Sequence, residues 1–302
     1  MAGSASAITV DINAPSMDKN GYPHSPSGGG PRQGAFIFGV IGADDTDERD
    51  SQFFNRFTTS AAVPTGQGFA NYQITSATFT LTIQTAGTFV FDGTYDSITT
   101  YDDVGLPTNG DDPGRPIELY GAAFRNGTDR GFTNENLPYN ATARGVRNIY
   151  ATDFLAGSSL TGANRDVSNN VSGDFEAIPF AIGQISPSSL NPDGTVMAEA
   201  DVVFTLNLLN PDVLRYLQLS LDSGLLDFVA TSLHPGAQGE NPTYPDFYTK
   251  ESLIPGALPG RLDMEVTIVP EASAVTSFLC AFGLFVGCWR GRQAFQPGGS
   301  KS

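Results

Sequence analysis

The chain has 302 residues, enough for one large domain or two small ones. Asp and Glu outnumber Lys and Arg by 32 to 16, and a surface with the resulting net charge of -16 repels nucleic acid and anionic lipid, so we expect neither as a partner of the acidic surface. Cys280 and Cys288 are the only cysteines and both lie near the C-terminus, which excludes a disulfide in the region before them.

The first seven residues match part of an export signal. Ala5-Ser6-Ala7 has the small-residue pattern of a signal-peptide cleavage site, but the basic and apolar regions of a signal peptide do not precede it. Either the protein starts here, or residues 1–7 are the remnant of a longer signal peptide. We favour the remnant, because the C-terminal segment described below requires an N-terminal export signal. The folded domain is then expected to span residues 8–269.

An acidic cluster follows the first well-defined apolar segment. Residues 35–41 have the length and composition of a buried strand. The cluster after it consists of Asp44, Asp45, Asp47, Glu48 and Asp50. Such oxygen ligands suit Ca2+, but Arg49 interrupts them and no glycine takes the turn position of an EF-hand loop. Two interpretations stay open: a structural Ca2+ site, or a solvated acidic loop.

The clearest strand covers residues 72–83. Ala77, Phe79, Leu81 and Ile83 alternate with threonines, which is the period of a strand with one buried face. Residues 88–95 are expected to be its partner. A second alternating strand covers residues 200–208, and a last one covers residues 262–268.

One short helix interrupts this β pattern. Asn210 is a favourable cap, Pro211 fits the first helical position, and Asp212 favours the positive end of the helix dipole. Apolar residues then recur at helical spacing, and Gly224 is a stop signal. With abundant Gly and Pro, the sequence predicts an all-β sandwich with one short α-helix.

Aromatic side chains near the end of the domain could bind sugars. Tyr244, Phe247 and Tyr248 lie close together in sequence, and aromatic faces stack on sugar rings. The alternative is that these rings belong to the core. The sequence lacks the motifs of a nucleophile elbow, a zinc protease and a phosphate-binding loop, so we expect no enzyme; the carboxylates of a glycosidase are the remaining catalytic option.

The C-terminal segment has the composition of a membrane span. Residues 272–289 are uncharged and apolar, and they just reach the length of about 17 residues that a spanning helix needs. Its large apolar residues are Val275, Phe278, Leu279, Phe282, Leu284, Phe285, Val286 and Trp289. The alternative, a buried core helix, does not explain why Arg290 and Arg292 follow at once. These arginines place the C-terminus in the cytoplasm.

This tail resembles the PEP-CTERM sorting signal of exported bacterial proteins. The resemblance rests on Val269-Pro270-Glu271, the short apolar segment and the basic end, within residues 270–292, followed by a polar tail at 293–302. Ala272 stands where that family usually has a second proline. The resemblance implies export, anchoring by the tail, and processing by an exosortase-type sorting protease in bacteria that make extracellular polysaccharide.

The body of the chain resembles jelly-roll domains of the DNRLRE and galactose-binding type. The resemblance rests on the order of the strands at 74–83 and 201–208, the helix at 211–217, the strand at 225–233, and residues 247–251 before the closing strand. Such modules occur in surface and polysaccharide-associated proteins. Residues 105–170 would be an insert relative to that pattern.

Together these features predict an exported protein of the cell envelope membrane, held by its tail or released to the cell surface or matrix. Its β-sandwich is expected to be non-catalytic and associated with extracellular polysaccharide. The open alternatives are a glycan-binding module with a defined sugar site and a glycoside-active enzyme. No cofactor other than structural Ca2+ is expected.

Overall fold

The computed structural model describes residues 6–21, 32–40, 47–100, 114–135, 147–155, 157–161, 164–236 and 243–269. These residues form fifteen strands and one α-helix. The strands are β1 (Ser6–Ile12), β2 (Met17–Gly21), β3 (Gly34–Phe36), β4 (Gln52–Thr58), β5 (Tyr72–Thr82), β6 (Phe91–Asp92), β7 (Arg115–Phe124), β8 (Ile149–Asp153), β9 (Arg165–Asp166), β10 (Ala181–Ile182), β11 (Gln184–Ile185), β12 (Asp201–Thr205), β13 (Leu225–Ser232), β14 (Asp246–Tyr248) and β15 (Arg261–Ile268). The helix α1 covers Pro211–Ser223.

Two sheets pack face to face, as the all-β prediction requires. Sheet I has the strand order β1-β15-β5-β12-β11, and sheet II has the order β2-β4-β13-β7-β8-β9, with β6 and β10 also paired to β7. A small third sheet joins β3 to β14. The chain passes repeatedly from one large sheet to the other, so some neighbouring strands, such as β1 and β15, are distant in sequence. Ser6, the first of the described residues, pairs with Ile268.

The strand β5 confirms the prediction from alternation and adds an irregularity to it. Ala77, Phe79 and Leu81 are buried between the sheets. Phe79 stacks on Phe228 of β13, with 5.3 Å between ring centroids. A bulge opposite Glu265 and Val266 places one extra residue in β5, which returns Ile74 to the buried face.

The helix α1 also confirms its prediction. The Asn210 side chain accepts a hydrogen bond from the Asp212 N–H, and Gly224 ends the helix in a left-handed conformation. The helix packs its apolar side into the core between the sheets, where Leu217 and Leu221 are fully buried.

Sheet II carries a second layer on its outer face. Met17, Phe54, Tyr120 and Val229 form an apolar cluster there, separate from the core between the sheets. Beside it, Asp227 accepts hydrogen bonds from Arg56 and Arg130.

Two sequence expectations for the strands are wrong. Residues 88–95 do not pair with β5; only Phe91–Asp92 forms a strand, and it runs parallel to the start of β7. Residues 105–170 are not an insert, because β7 and β8 lie within them and belong to sheet II. Periodicity identifies a strand, but the partner of that strand is decided by packing elsewhere in the chain.

Candidate functional site

The predicted sorting motif begins where the described domain ends. The N–H of Val269 donates to the carbonyl of Asn71, with 2.9 Å between N and O. Pro270, Glu271, the predicted anchor and the two arginines lie outside the described residues. Within the described part of the chain, every helix is too short or too polar to cross a bilayer.

The acidic cluster at residues 44–50 is only partly described, because Asp44 and Asp45 lie outside the described residues. Asp47, Glu48 and Asp50 are buried, so the interpretation as a solvated loop is wrong for these three. Their burial follows from contacts with segments far along the chain, which the local sequence cannot reveal.

Protein donors bind the carboxylate oxygens of Asp47 and Glu48. Asp47 pairs with the buried Arg147, with 2.7 Å between Oδ2 and Nη2, and accepts from Asn169 Nδ2 at 2.8 Å. Glu48 accepts from the backbone N–H groups of Val171 and Ser172 at 2.8 and 2.5 Å. A Ca2+ ion would have to displace these donors, and the Ca2+ site stays a prediction.

The three aromatic residues considered for sugar stacking are core or packing residues. Phe247 is fully buried and stacks on Phe53, and Tyr248 is also buried. Tyr244 is half-buried and packs against Phe36 and Phe38. Stacking on a sugar ring needs an exposed face, so the prediction is wrong for Phe247 and Tyr248.

A histidine and a serine also meet inside the domain. Ser232 Oγ lies 2.6 Å from Nδ1 of His234, and it also donates to the carbonyl of Pro116. Both residues are buried, and burial lowers the pKa of His234 to about 3. The pair is enclosed by protein and its imidazole is neutral, which fits a structural role.

A carboxylate cluster that the sequence did not predict lies at the edge of sheet II. Asp18 of β2, Glu135 of the loop after β7 and Glu251 of the turn after β14 each have a carboxylate oxygen within 4.8 Å of the others. Glu135 accepts a hydrogen bond from the backbone N–H of Asp18 at 2.7 Å, and Asp18 accepts one from the N–H of Lys250 at 2.7 Å. Three segments that are distant in sequence are thereby joined at one point.

Two lysines supply the positive charge of this cluster. Lys250 Nζ lies 2.8 Å from Glu135 Oε2 and also pairs with Glu251. Lys19 Nζ donates to the backbone carbonyl of Glu135. The three carboxylates could act as oxygen ligands of a metal ion, but the ammonium group of Lys250 already bridges two of them.

Burial and neighbouring charges shift the pKa values of the ionisable groups in this cluster. Desolvation and the nearby Glu251 carboxylate together raise the pKa of Asp18 to about 8, against the lowering effect of the hydrogen bond from the Lys250 N–H. Desolvation lowers the pKa of Lys19 to about 8, against the opposing effect of Glu135. The hydrogen bonds to Glu135 and Glu251 raise the pKa of Lys250, against the effect of its partial burial. At neutral pH Asp18 therefore holds a proton and can donate it to a neighbouring carboxylate.

No protein-family model matches this chain. A search of curated proteins finds no match either.

One signal in the sequence could have indicated the carboxylate cluster. The chain has only three lysines, Lys19, Lys250 and Lys301, and the first two meet at this site. In so acidic a chain, a lysine within the domain is a candidate for a specific ion pair. The carboxylate partners could not be chosen from the sequence, because many acidic residues are available.

Proposed function

We propose that this is an exported protein of the cell envelope, tethered by its C-terminal tail, with a non-catalytic β-sandwich outside the membrane. Residues 272–289 span the bilayer, and Arg290 and Arg292 remain on the cytoplasmic side. Val269, Pro270 and Glu271 form the sorting motif for an exosortase-type protease, which releases the domain to the cell surface or matrix.

The observation that supports this proposal most is the position of the last strand. β15 ends at Ile268, and its pairing with both β1 and β5 completes sheet I. Pro270 follows two residues later. Cleavage at the motif would therefore leave all five strands of sheet I intact.

We also infer that the sandwich is a jelly roll. Its eight principal strands in chain order are β1, β4, β5, β7, β8, β12, β13 and β15. If these eight strands are numbered 1 to 8 in chain order, they occur in the order 1-8-3-6 in sheet I and 2-7-4-5 in sheet II. Two interlocked Greek keys have this order. The inference agrees with the resemblance to modules of surface proteins, which favours an extracellular setting rich in polysaccharide.

The burial of the predicted aromatic residues gives little support for a sugar site on them. The rings of Phe247 and Tyr248 are covered by protein, and Tyr244 exposes only part of its ring. Glycan-array binding by the full-length protein in detergent tests the remaining possibility. Saturable binding to one sugar class would favour a defined site, and uniformly weak binding favours a structural role in the matrix.

Cell fractionation tests the anchor. The intact chain is expected in the membrane fraction, and a chain that ends at Val269 is expected in the soluble exported fraction. A full-length chain that partitions into the soluble fraction before any cleavage would overturn the proposal.

Mass spectrometry of the mature C-terminus tests the sorting step. The Pro270→Ala, Glu271→Ala double variant is expected to keep its tail and to stay in the membrane. Pro255→Ala, in an exposed loop of the domain, is the matched control and should be processed normally. An intact tail in the parent chain would exclude processing and leave the anchor standing.

A further inference from the structure

The tail leaves the domain at one end of the sandwich, which we call the tail end. Ile268 of β15 is paired with Tyr72, the first residue of β5, and Val269 is bonded to Asn71. Residues 59–71, which connect β4 to β5, therefore lie beside the point where the tail begins. The far end of β5, at Thr82, lies about 35 Å away at roughly 3.4 Å per residue.

The loop at 59–71 is unusual in this chain because it carries no charge. The uncharged stretch extends from Phe57 to Phe91, although the protein as a whole has a net charge of -16. Within the loop the exposed side chains are small or neutral, and they include Ser60, Ala61, Ala62, Pro64, Thr65 and Gln67. A surface of this kind can approach an anionic membrane without the repulsion that the rest of the protein would experience.

The charged groups that reach this loop from α1 are held close to the protein. Asp222 Oδ1 accepts hydrogen bonds from the N–H of Gly68 and the hydroxyl of Tyr72, at 3.0 and 3.1 Å. The guanidinium of Arg215 lies over the Phe69 ring, 4.5 Å from its centroid. The Asp222 carboxylate is thus occupied by hydrogen bonds within the protein. Arg215, the cation near the loop, has the charge that anionic phospholipids attract.

The acidic residues of sheet I begin at Glu265, opposite Ser76, and the others lie farther from the tail end. Asp11 and Asp263 are exposed and lie directly across from each other on β1 and β15, level with Thr78 in the middle of β5. Asp201 pairs with Thr82, the last residue of β5. At the tail end, the corresponding outward positions are occupied by the neutral residues Gln73 and Thr267.

The tail also leaves little distance between the domain and a bilayer. Two residues, Pro270 and Glu271, separate Val269 from the apolar segment at Ala272, and the three Cα–Cα steps between Val269 and Ala272 span at most about 10 Å. The maximum distance between the domain and the apolar segment is therefore similar to the Debye screening length, which is about 8 Å at physiological ionic strength. Each headgroup layer is about 5 to 7 Å thick, so a tethered domain cannot move away from the headgroups.

We propose that the tail end of the domain, including residues 59–71, is a bilayer-facing surface that contacts the phospholipid headgroups. This inference rests on the proposed anchoring by the tail. It gives the domain a defined orientation, with the neutral end at the membrane and the acidic end of sheet I pointing away.

Site-specific fluorescence on the full-length chain tests the orientation. The protein is reconstituted in phosphatidylcholine vesicles that contain a lipid with a headgroup quencher. Cys280 and Cys288 are replaced by serine, and an environment-sensitive dye is attached to a Gln67→Cys variant. Ala61→Cys provides a second position in the loop, in case one label disturbs folding. Ala86→Cys is the matched control, since it is exposed and follows the opposite end of the same strand.

The expected result is a blue shift and loss of most of the emission for the labels at positions 67 and 61, with neither change at position 86. A separate variant that keeps only Cys280 reports on the tail itself. If its label is buried in the bilayer but the loop labels resemble the control, the orientation is wrong and the anchor stands. If the tail label also stays in water, both the orientation and the proposed function fail.

Discussion

The carboxylate of Asp18 accepts a hydrogen bond from the backbone N–H of Lys250, with 2.7 Å between Oδ2 and N. This contact attaches the turn after β14 to β2, an edge strand of sheet II. Glu135 binds the N–H of the same aspartate from a third segment. This contact places the Asp18 carboxyl group in a buried site beside other carboxylates. The strength of the hydrogen bond should therefore depend on pH.

From about pH 6.5 to about pH 8, stability is expected to fall as the pH rises; below pH 6.5 the lowered pKa of His234 has the opposite effect and offsets that of Asp18. Asp18 has a pKa of about 8 in the folded protein and an ordinary value of 3.8, so between these values the folded state holds a proton that the unfolded state has lost. Between about pH 8 and pH 10.5 Lys19 has the opposite effect, because its lowered pKa in the folded protein makes stability rise with pH. Melting temperatures from pH 5 to 10 should therefore pass through a minimum near pH 8.

The Asp18→Asn variant separates these two contributions. An amide keeps the neutral form of the side chain, so the variant should be more stable than the parent at pH 8, by an amount on the order of a few kcal/mol, and by much less at pH 5. Asp263→Asn, at an exposed position on β15, is the control and should leave the pH profile unchanged. A parent protein whose melting temperature is constant from pH 6.5 to 8 would contradict the buried protonated carboxyl.

Removal of the buried Asp227 carboxylate is expected to be strongly destabilising. Asp227 binds Arg56 Nε at 2.6 Å and Arg130 Nε at 2.9 Å, and all three residues are buried. Asp227→Ala would leave two buried guanidinium groups without their anion, at a cost of about 3 to 5 kcal/mol. Denaturant unfolding measures this change.

The matched control for that measurement is Asp201→Ala. Asp201 forms an ion pair with Arg261, but its side chain is 47% exposed, so the expected loss is below about 1 kcal/mol. Equal losses for the two variants would show that burial does not determine the strength of these ion pairs.

A buried amide offers a route to higher stability. Among the described residues, neither side-chain atom of Asn55 has a hydrogen-bond partner, although the residue is fully buried opposite Asp18 in β4. An unsatisfied buried polar group costs about 1 to 3 kcal/mol, so Asn55→Leu is expected to stabilise the protein by about 1 kcal/mol. Thermal unfolding measures the gain.

Asn20 is the contrasting control for Asn55. It is also buried, but its amide nitrogen donates to the carbonyl of Phe36 at 2.8 Å and to Ser51 Oγ at 3.1 Å. Asn20→Leu should therefore destabilise the protein. If Asn55→Leu is also destabilising by a similar amount, the amide of Asn55 must bind an ordered water molecule.

Calcium is expected to change the melting temperature little through the acidic segment. Asp47 and Glu48 bind Arg147 and backbone N–H groups through their carboxylate oxygens, so an ion would have to compete with these donors. Differential scanning calorimetry with Ca2+ and then with a chelator makes the comparison. A clear rise with Ca2+ that the Asp47→Asn substitution abolishes would restore the Ca2+ site.

Local patterns in the sequence predicted the elements that depend on local physics. β5 follows from the alternation of Ala77, Phe79 and Leu81, and α1 follows from the Asn210 cap and the Gly224 stop. The all-β class followed from the number of such strands. The bulge in β5 could not be predicted, because it depends on the register of Glu265 and Val266 in another strand.

Features formed by distant residues could not be read from the sequence. The burial of Asp47 depends on Arg147, 100 residues away. The cluster of Asp18, Glu135 and Glu251 likewise combines three segments. An acidic run looks the same in sequence whether solvent or an arginine surrounds it, and only the fold decides between the two.

The pairing of β1 with β15 also governs the order of events during biosynthesis. Thr9 Oγ1 donates a hydrogen bond to Glu265 Oε1, which lies 256 positions later in the sequence. In the described structure, β15 is the one strand that pairs with β1. Sheet I is therefore incomplete until β15 has been synthesised, and contacts of such long range form slowly. Such a delay would keep the nascent domain unfolded for the export that we propose.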